Sequence, residues 1–179
     1  MFVLGHVGIG RVMLGRWRWR IPAAAFVLGA LLPDIIDKTL YYSQLTSYAV
    51  GTRTFGHTGL FLCALVAIAA IRRSRVWGAV AIGVATHLAL DGVVDVFNPD
   101  PSSAWIALTW PFLHTHFAPA DFRSPFDQLH EIWMPAILIS EITGAVLLVR
   151  EYRLSRRRRA LSEAAEPRPG RRGGAGPAP

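Results

Sequence analysis

Four apolar stretches divide the chain, at positions 21–36, 57–71, 76–97 and 132–149, with polar segments between them. A transmembrane helix needs about 20 mostly apolar residues, within a range of roughly 17–25. The third and fourth stretches meet that length. The first two fall a few residues short and need their flanks, or a thinner bilayer, to span. A fifth stretch, 2–14, is apolar on average but carries His6 and Arg11. It reads as a short helix in or on the membrane. The pattern therefore predicts an all-α integral membrane protein. The expected architecture is a bundle of about four transmembrane helices plus a short N-terminal membrane-associated helix, within a membrane-embedded domain 1–155.

Composition agrees with this. Apolar residues make up 52% of the chain and charged ones only 17%, against about 25% in soluble domains. Disordered, acidic and collagen-like classes are excluded for the chain as a whole. The net charge of +7 comes almost entirely from the C-terminus, where 150–179 holds nine Arg against three Glu. No nucleic-acid-binding face is expected. A tail at 156–179, rich in Ala, Arg, Pro and Gly, is expected to be basic, disordered and cytoplasmic. Its Arg156–Arg159 run would fix topology and meet anionic lipid heads. Cys63 is the only cysteine, so a disulfide framework and a Cys-based zinc knuckle are both excluded. It reads as a small core residue. No cleavable signal is expected, because His6, Arg11 and the arginines at 16–20 interrupt the early apolar stretch.

The arginines also orient the bundle. Arg16, Arg18 and Arg20 precede the first stretch, Arg72, Arg73 and Arg75 separate the second from the third, and the long run follows the fourth. With these three places inside, sixteen of nineteen basic residues are cytoplasmic, as the positive-inside rule expects. The loops at about 38–56 and 98–131 then lie on the far side. The second of these is rich in Pro and aromatic residues and is long enough to cover a site.

Ionisable residues within apolar spans are costly and mark candidate sites. His87, Asp91 and Asp95 stand at i, i+4 and i+8 on one helix face, and Asp34 and Asp37 share another at i, i+3. His57 opens the second stretch and His6 lies in the N-terminal one. Imidazole with carboxylate is a donor set for zinc, iron or manganese. Four segments converging on the outer side would build such a site. Blander readings stand beside this one. His87 could be a packed helix contact, Asp34 a helix end, Asp37 or Asp95 a cap, and Glu141 an interhelical hydrogen bond. His114, His116 and His130 read as solvated loop residues. One tension remains: His87 lies about 16 Å along a span that starts at 76, deeper than His57 at the mouth of its own.

The motifs GHVGIG, LGALLPDIID, RTFGHTG, THLALDG and a following WPF occur in that order from about Gly5 to Phe112. In this the chain resembles the YdjM-like family of membrane-bound proteins. That family is predicted to be metal-dependent hydrolases and is related in motif to bacterial zinc-dependent phospholipase C. The resemblance implies a multi-pass protein of a bacterial-type cytoplasmic (inner) membrane and a metal site of His6, Asp34, His57, His87 and Asp91. Two departures stand out. Asp37 falls one position later than the family's acidic partner, with Lys38 in place of its His. Gly59 replaces the Ser of Thr-His-Ser.

The expected function is a membrane-bound metal-dependent hydrolase whose outward-facing site acts on phosphoester or lipid-linked substrates. Zinc, with manganese or iron as alternatives, would lower the pKa of a water towards 7. Asp37, or Asp95, would act as base, and Arg53 would hold a phosphate through paired hydrogen bonds. The expected partners are membrane lipids and the divalent ion. The alternative is a non-enzymatic membrane protein in which the His and Asp residues serve transport, an ion path or structure.

Overall fold

The computed structural model describes residues 3–48, 50–97, 102–120, 124, 126–127 and 135–165. Its helices are α1 (Val3–Met13), α2 (Ala23–Ser43), α3 (Gly59–Arg72), α4 (Arg75–Val96), α5 (Ser102–Thr109) and α6 (Pro135–Ala165). Short 3-10 turns at Gly15–Trp19 and Phe55–His57 precede α2 and α3. No strand occurs among the described residues.

Local chemistry sets the boundaries of α3 and α4. The Thr58 hydroxyl accepts a hydrogen bond from the Phe61 N–H and starts α3. The helix stops where Arg73 turns left-handed at φ 46°, and Ser74 at once caps α4. So tight a turn makes the two helices antiparallel neighbours and leaves Arg72, Arg73 and Arg75 at one end.

α4 is the centre of the molecule. Its Val80, Ala81 and Val84 bury themselves against Leu65 of α3, and a second apolar cluster joins Val7 of α1 to Phe26 and Ala30 of α2. α2 crosses α4 at backbone contact. A Cβ at Gly29 would collide with the Val80 carbonyl, and one at Gly83 with the Phe26 carbonyl. α3 behaves differently. Leu65 is its one buried residue, while Leu60, Val66, Ile68 and Ile71 are exposed. Cys63 is exposed as well, which corrects the expectation of a core cysteine.

Among the described residues, α4 alone is long and apolar enough to cross a membrane by itself. α3 has only 14 residues. α2 carries Asp34, Asp37 and Lys38, and α6 carries Glu141, Arg150 and Glu151. The all-helical class is observed; the count of four spans is not given by these helices. α6 continues through Arg156–Arg159 as far as Ala165, into the stretch expected to be a disordered tail. Arg, Ala, Leu and Glu are good helix formers and propagate a helix already begun. The remaining tail, 166–179, lies outside the described residues, as do His130 and 132–134.

The short α3 also removes the tension in depth. At 1.5 Å per residue it rises only ~21 Å from the turn that α4 leaves. Its start, with His57 just before it, is therefore level with the middle of α4, where His87 sits.

Candidate metal centre

The centre is assembled around the turn that returns from α2 to α3. Asp37, fully buried on α2, accepts hydrogen bonds from the Thr54 N–H at 2.6 Å and the Gly56 N–H at 2.8 Å. These bonds fold the Phe55–His57 turn back against α2. Its outer side is held by Phe55, which packs edge-on against Trp110 and Phe117 at 5.7 and 5.2 Å. His57 then places Nδ1 2.7 Å from Asp37 Oδ2 and directs Nε2 towards α4.

His87 is oriented in the same way by a different partner. Its Nδ1 lies 2.7 Å from the Ala30 carbonyl oxygen, which can only accept, so Nδ1 carries the proton. The two Nε2 atoms face each other at 3.1 Å. With both Nδ1 atoms donating, neutral rings would point two lone pairs at one another. Such an arrangement calls for a proton or a cation between them.

Three further side chains complete the cluster. Asp91 Oδ2 lies 3.4 Å from His57 Nε2 and 3.8 Å from His87 Nε2. Asp34 Oδ1 lies 3.7 and 4.0 Å from the same two nitrogens. His6 stacks on His87 with ring centroids 3.9 Å apart, and its Nε2 is 3.4 Å from Asp91 Oδ1. Neither ring nitrogen of His6 has a hydrogen-bond partner among the described residues, although the side chain is 1% exposed. A buried imidazole in that state lacks something to bind.

These five residues form two overlapping triads able to hold a metal ion, His6–Asp34–His87 and His57–His87–Asp91. Ligand atoms bonded at about 2.0–2.2 Å to a first-row metal lie roughly 3–3.5 Å from one another. The donor spacing here is close to that. The donor set of imidazoles and carboxylates, with two imidazoles tied at their far nitrogens, fits a divalent metal.

Cations border the cluster. Lys38 Nζ lies 2.9 Å from Asp34 Oδ2. Arg53 Nε lies 3.1 Å from Asp91 Oδ2, and its Nη1 donates to both Asp95 oxygens at 2.8 and 2.9 Å. Burial opposes the charge of Arg53, but Asp91 and Asp95 outweigh it and raise its pKa. Asp95 also accepts from the Ala104 N–H at 2.9 Å, which ties α5 to α4.

α1 reaches the cluster because α6 holds it. Glu141 accepts from the Leu4 and Gly5 N–H groups at 3.0 and 2.9 Å, occupying two donors that a helix start leaves free. At the other end Arg11 pairs with Glu151. Between them Gly8 and Gly144 meet at backbone contact.

The structure thus brings together His6, Asp34, His57, His87 and Asp91. Asp37 stands behind His57 rather than among the converging atoms, and Arg53 stands beside Asp91. Asp95 and Glu141 serve as hydrogen-bond anchors, while His114 and His116 are exposed and take no part. The sequence did not reveal the Ala30 carbonyl, the Thr54 and Gly56 amides or the Phe55–Trp110–Phe117 cluster. Backbone groups carry no residue signature, although the aromatic WPF segment was a usable pointer.

A family model described as YdjM inner membrane protein matches residues 2–162. No curated protein and no solved structure matches the chain.

Proposed function

The chain belongs to the YdjM inner membrane protein family, and from that premise we propose that it is a metal-dependent hydrolase acting on phosphoesters at the membrane. The metal, zinc first and manganese or iron as alternatives, is held by His6, Asp34, His57, His87 and Asp91. The observation that carries this reading is the pair of imidazole Nε2 atoms facing each other at 3.1 Å with both Nδ1 atoms engaged.

A divalent ion bound there supplies Lewis acidity, polarising a phosphoryl oxygen and acidifying a water. The remaining work belongs to the chain. Asp37, considered as a base from the sequence, instead positions His57: its two oxygens already receive three hydrogen-bonding groups. Arg53, anchored on Asp91 and Asp95 beside the cluster, is the cation proposed to hold the phosphoryl group. Four spans, with the arginine clusters and C-terminus inside and the site on the outer side, remain the proposed topology. The exposed apolar face of α3 supports lipid contact along that helix.

The test is elemental mass spectrometry of the detergent-purified protein, wild type beside His87→Ala, followed by a phosphoester screen. The expected result is one divalent ion per chain, lost in the variant, with hydrolysis lost alongside it. Retention of stoichiometric metal by the variant refutes the ligand set. A folded wild type that takes up no metal moves the protein to the structural or ion-path reading.

A further inference from the structure

The cluster is exposed unevenly. The side chains of His6, His57, His87 and Asp91 are 0–4% exposed, whereas those of Asp34, Lys38 and Arg53 are 21%, 27% and 21% exposed. A polar molecule arriving at the centre therefore meets these three first. Asp34 and Lys38 stand at i, i+4 on α2, and Arg53 lies in the loop that returns to α3. The two cations are placed alike. Asp34 turns Oδ1 towards the imidazole Nε2 atoms and offers Oδ2 to Lys38 Nζ at 2.9 Å. Asp91 Oδ2 faces the same two nitrogens and takes Arg53 Nε at 3.1 Å. Each cation thus stands one carboxylate away from His57 Nε2, on a carboxylate of its own. A partly exposed i, i+4 ion pair does little for stability, so the fold alone gives Lys38 no task there.

We propose that Lys38 is a second anion-holding residue beside Arg53, and that the centre consequently selects a phosphomonoester end over a phosphodiester. The ion and Arg53 rest on the functional reading given above; the role of Lys38 and the selection are additional to it. The selection is a matter of oxygens. A phosphomonoester presents three terminal oxygens and a diester only two. The bound ion, Arg53 and Lys38 are three positive partners, one for each oxygen. A diester sets an esterified oxygen, a poor acceptor, against one of them. An ammonium carries three N–H donors, so Lys38 can bind such an oxygen without releasing Asp34.

The experiment is isothermal titration calorimetry of the full chain, loaded with zinc, in nanodiscs of diacylphosphatidylcholine. The probes are phenylphosphonate, with three terminal oxygens, and methyl(phenyl)phosphinate, with two. Neither contains an ester to cleave. Phenylphosphonate is expected to bind at least about tenfold more tightly, as one additional charge-assisted hydrogen bond implies. Lys38→Met keeps the length of the side chain and removes its charge. It is expected to remove that preference through phenylphosphonate alone, with phosphinate affinity and zinc content at their wild-type levels. Lys38→Arg is expected to keep the preference. Equal wild-type affinity for the two probes overturns the proposal. So does a parallel loss of both in Lys38→Met, which marks a charge acting at a distance, and so does loss of zinc in that variant, which makes Lys38 a support of Asp34. Dipalmitoyl phosphatidic acid added to the nanodisc then identifies the source of the monoester. Displacement of phenylphosphonate assigns it to a lipid, and no displacement to a water-soluble ester; Lys38 keeps its role in both. The two readings fail separately. Zinc uptake and hydrolysis without phosphonate preference refute the role of Lys38 and leave the hydrolase. Phosphonate binding that Lys38→Met removes, in a protein that takes up no metal, refutes the hydrolase and leaves the anion site.

Discussion

Two helix crossings build the centre, and they are held by different means. α2 and α4 meet through Gly29 and Gly83 within an apolar surround of Phe26, Ala30, Val80 and Val84. α1 and α6 also meet through glycines, Gly8 and Gly144, but this contact is clamped at each end by a charged side chain, Glu141 on the α1 N–H groups and Glu151 on Arg11. The first crossing, with the turn folded onto Asp37, supplies Asp34, His57, His87 and Asp91. The second supplies His6 alone. The proposed ligand set therefore divides into four residues built into the core and one delivered by a helix that α6 clamps at both ends through charged side chains. Small residues let helices approach closely in both cases. What differs is how much of the molecule depends on each approach.

Breaking the first crossing has the larger consequence. Gly83→Val sets a side chain against the Phe26 carbonyl, so a backbone must move. The expected cost is at or above the ~3 kcal/mol upper end of ordinary overpacking, because both partners are main chain. The variant should lose its bound metal together with its cooperative thermal unfolding. If it unfolds at the wild-type temperature with metal still bound, the α2–α4 contact is not the scaffold of the site.

The matching change in the second crossing is milder. Gly144→Val sets a side chain against the Leu4 carbonyl and should displace α1 while α2, α3 and α4 stay together. The expected effect is ~1–3 kcal/mol confined to the α1–α6 contact. Metal affinity should fall at least about tenfold, since His6 leaves and four ligands remain. Limited proteolysis within 3–13 and metal titration, taken together, measure this. Unfolding of the whole bundle, as in Gly83→Val, would erase the distinction between the crossings.

Much of the candidate site was legible in the residues, and the losses have physical causes. His87 and Asp91 announce one another because i, i+4 places them on one helix face. The cost of burying them makes a chance occurrence improbable. Asp37 was ambiguous, since i, i+3 from Asp34 suits a ligand, a base or a cap equally. Only the return of the Thr54 and Gly56 amides through the loop settles what its oxygens hold. Cys63 was misread because the stretch 57–71 is apolar on every side, and such a helix carries no phase that says which face is buried. The division between crossings was not legible at all. Glu141 was visible as an interhelical hydrogen-bonding group, but its partners are main-chain N–H groups of a segment more than a hundred residues away.

That partner choice gives the smallest and sharpest test of the comparison. Glu141→Gln keeps the size of the side chain and the glycine contact beneath it, but replaces one of two accepting oxygens with an amide that can only donate. One of the Leu4 and Gly5 N–H groups then keeps a partner while the other faces a donor. Leaving a buried N–H unsatisfied costs ~1–3 kcal/mol, and the negative charge at the α1 start contributes a further ~0.3–1 kcal/mol. The loss should appear as faster hydrogen exchange in the first turn of α1, with exchange in α4 unchanged. Metal affinity should weaken by less than the Gly144→Val variant shows, because His6 still reaches the cluster part of the time. If the first turn of α1 exchanges as slowly as in the wild type, the glycine contact holds α1 without the clamp, and the two crossings work by one means after all.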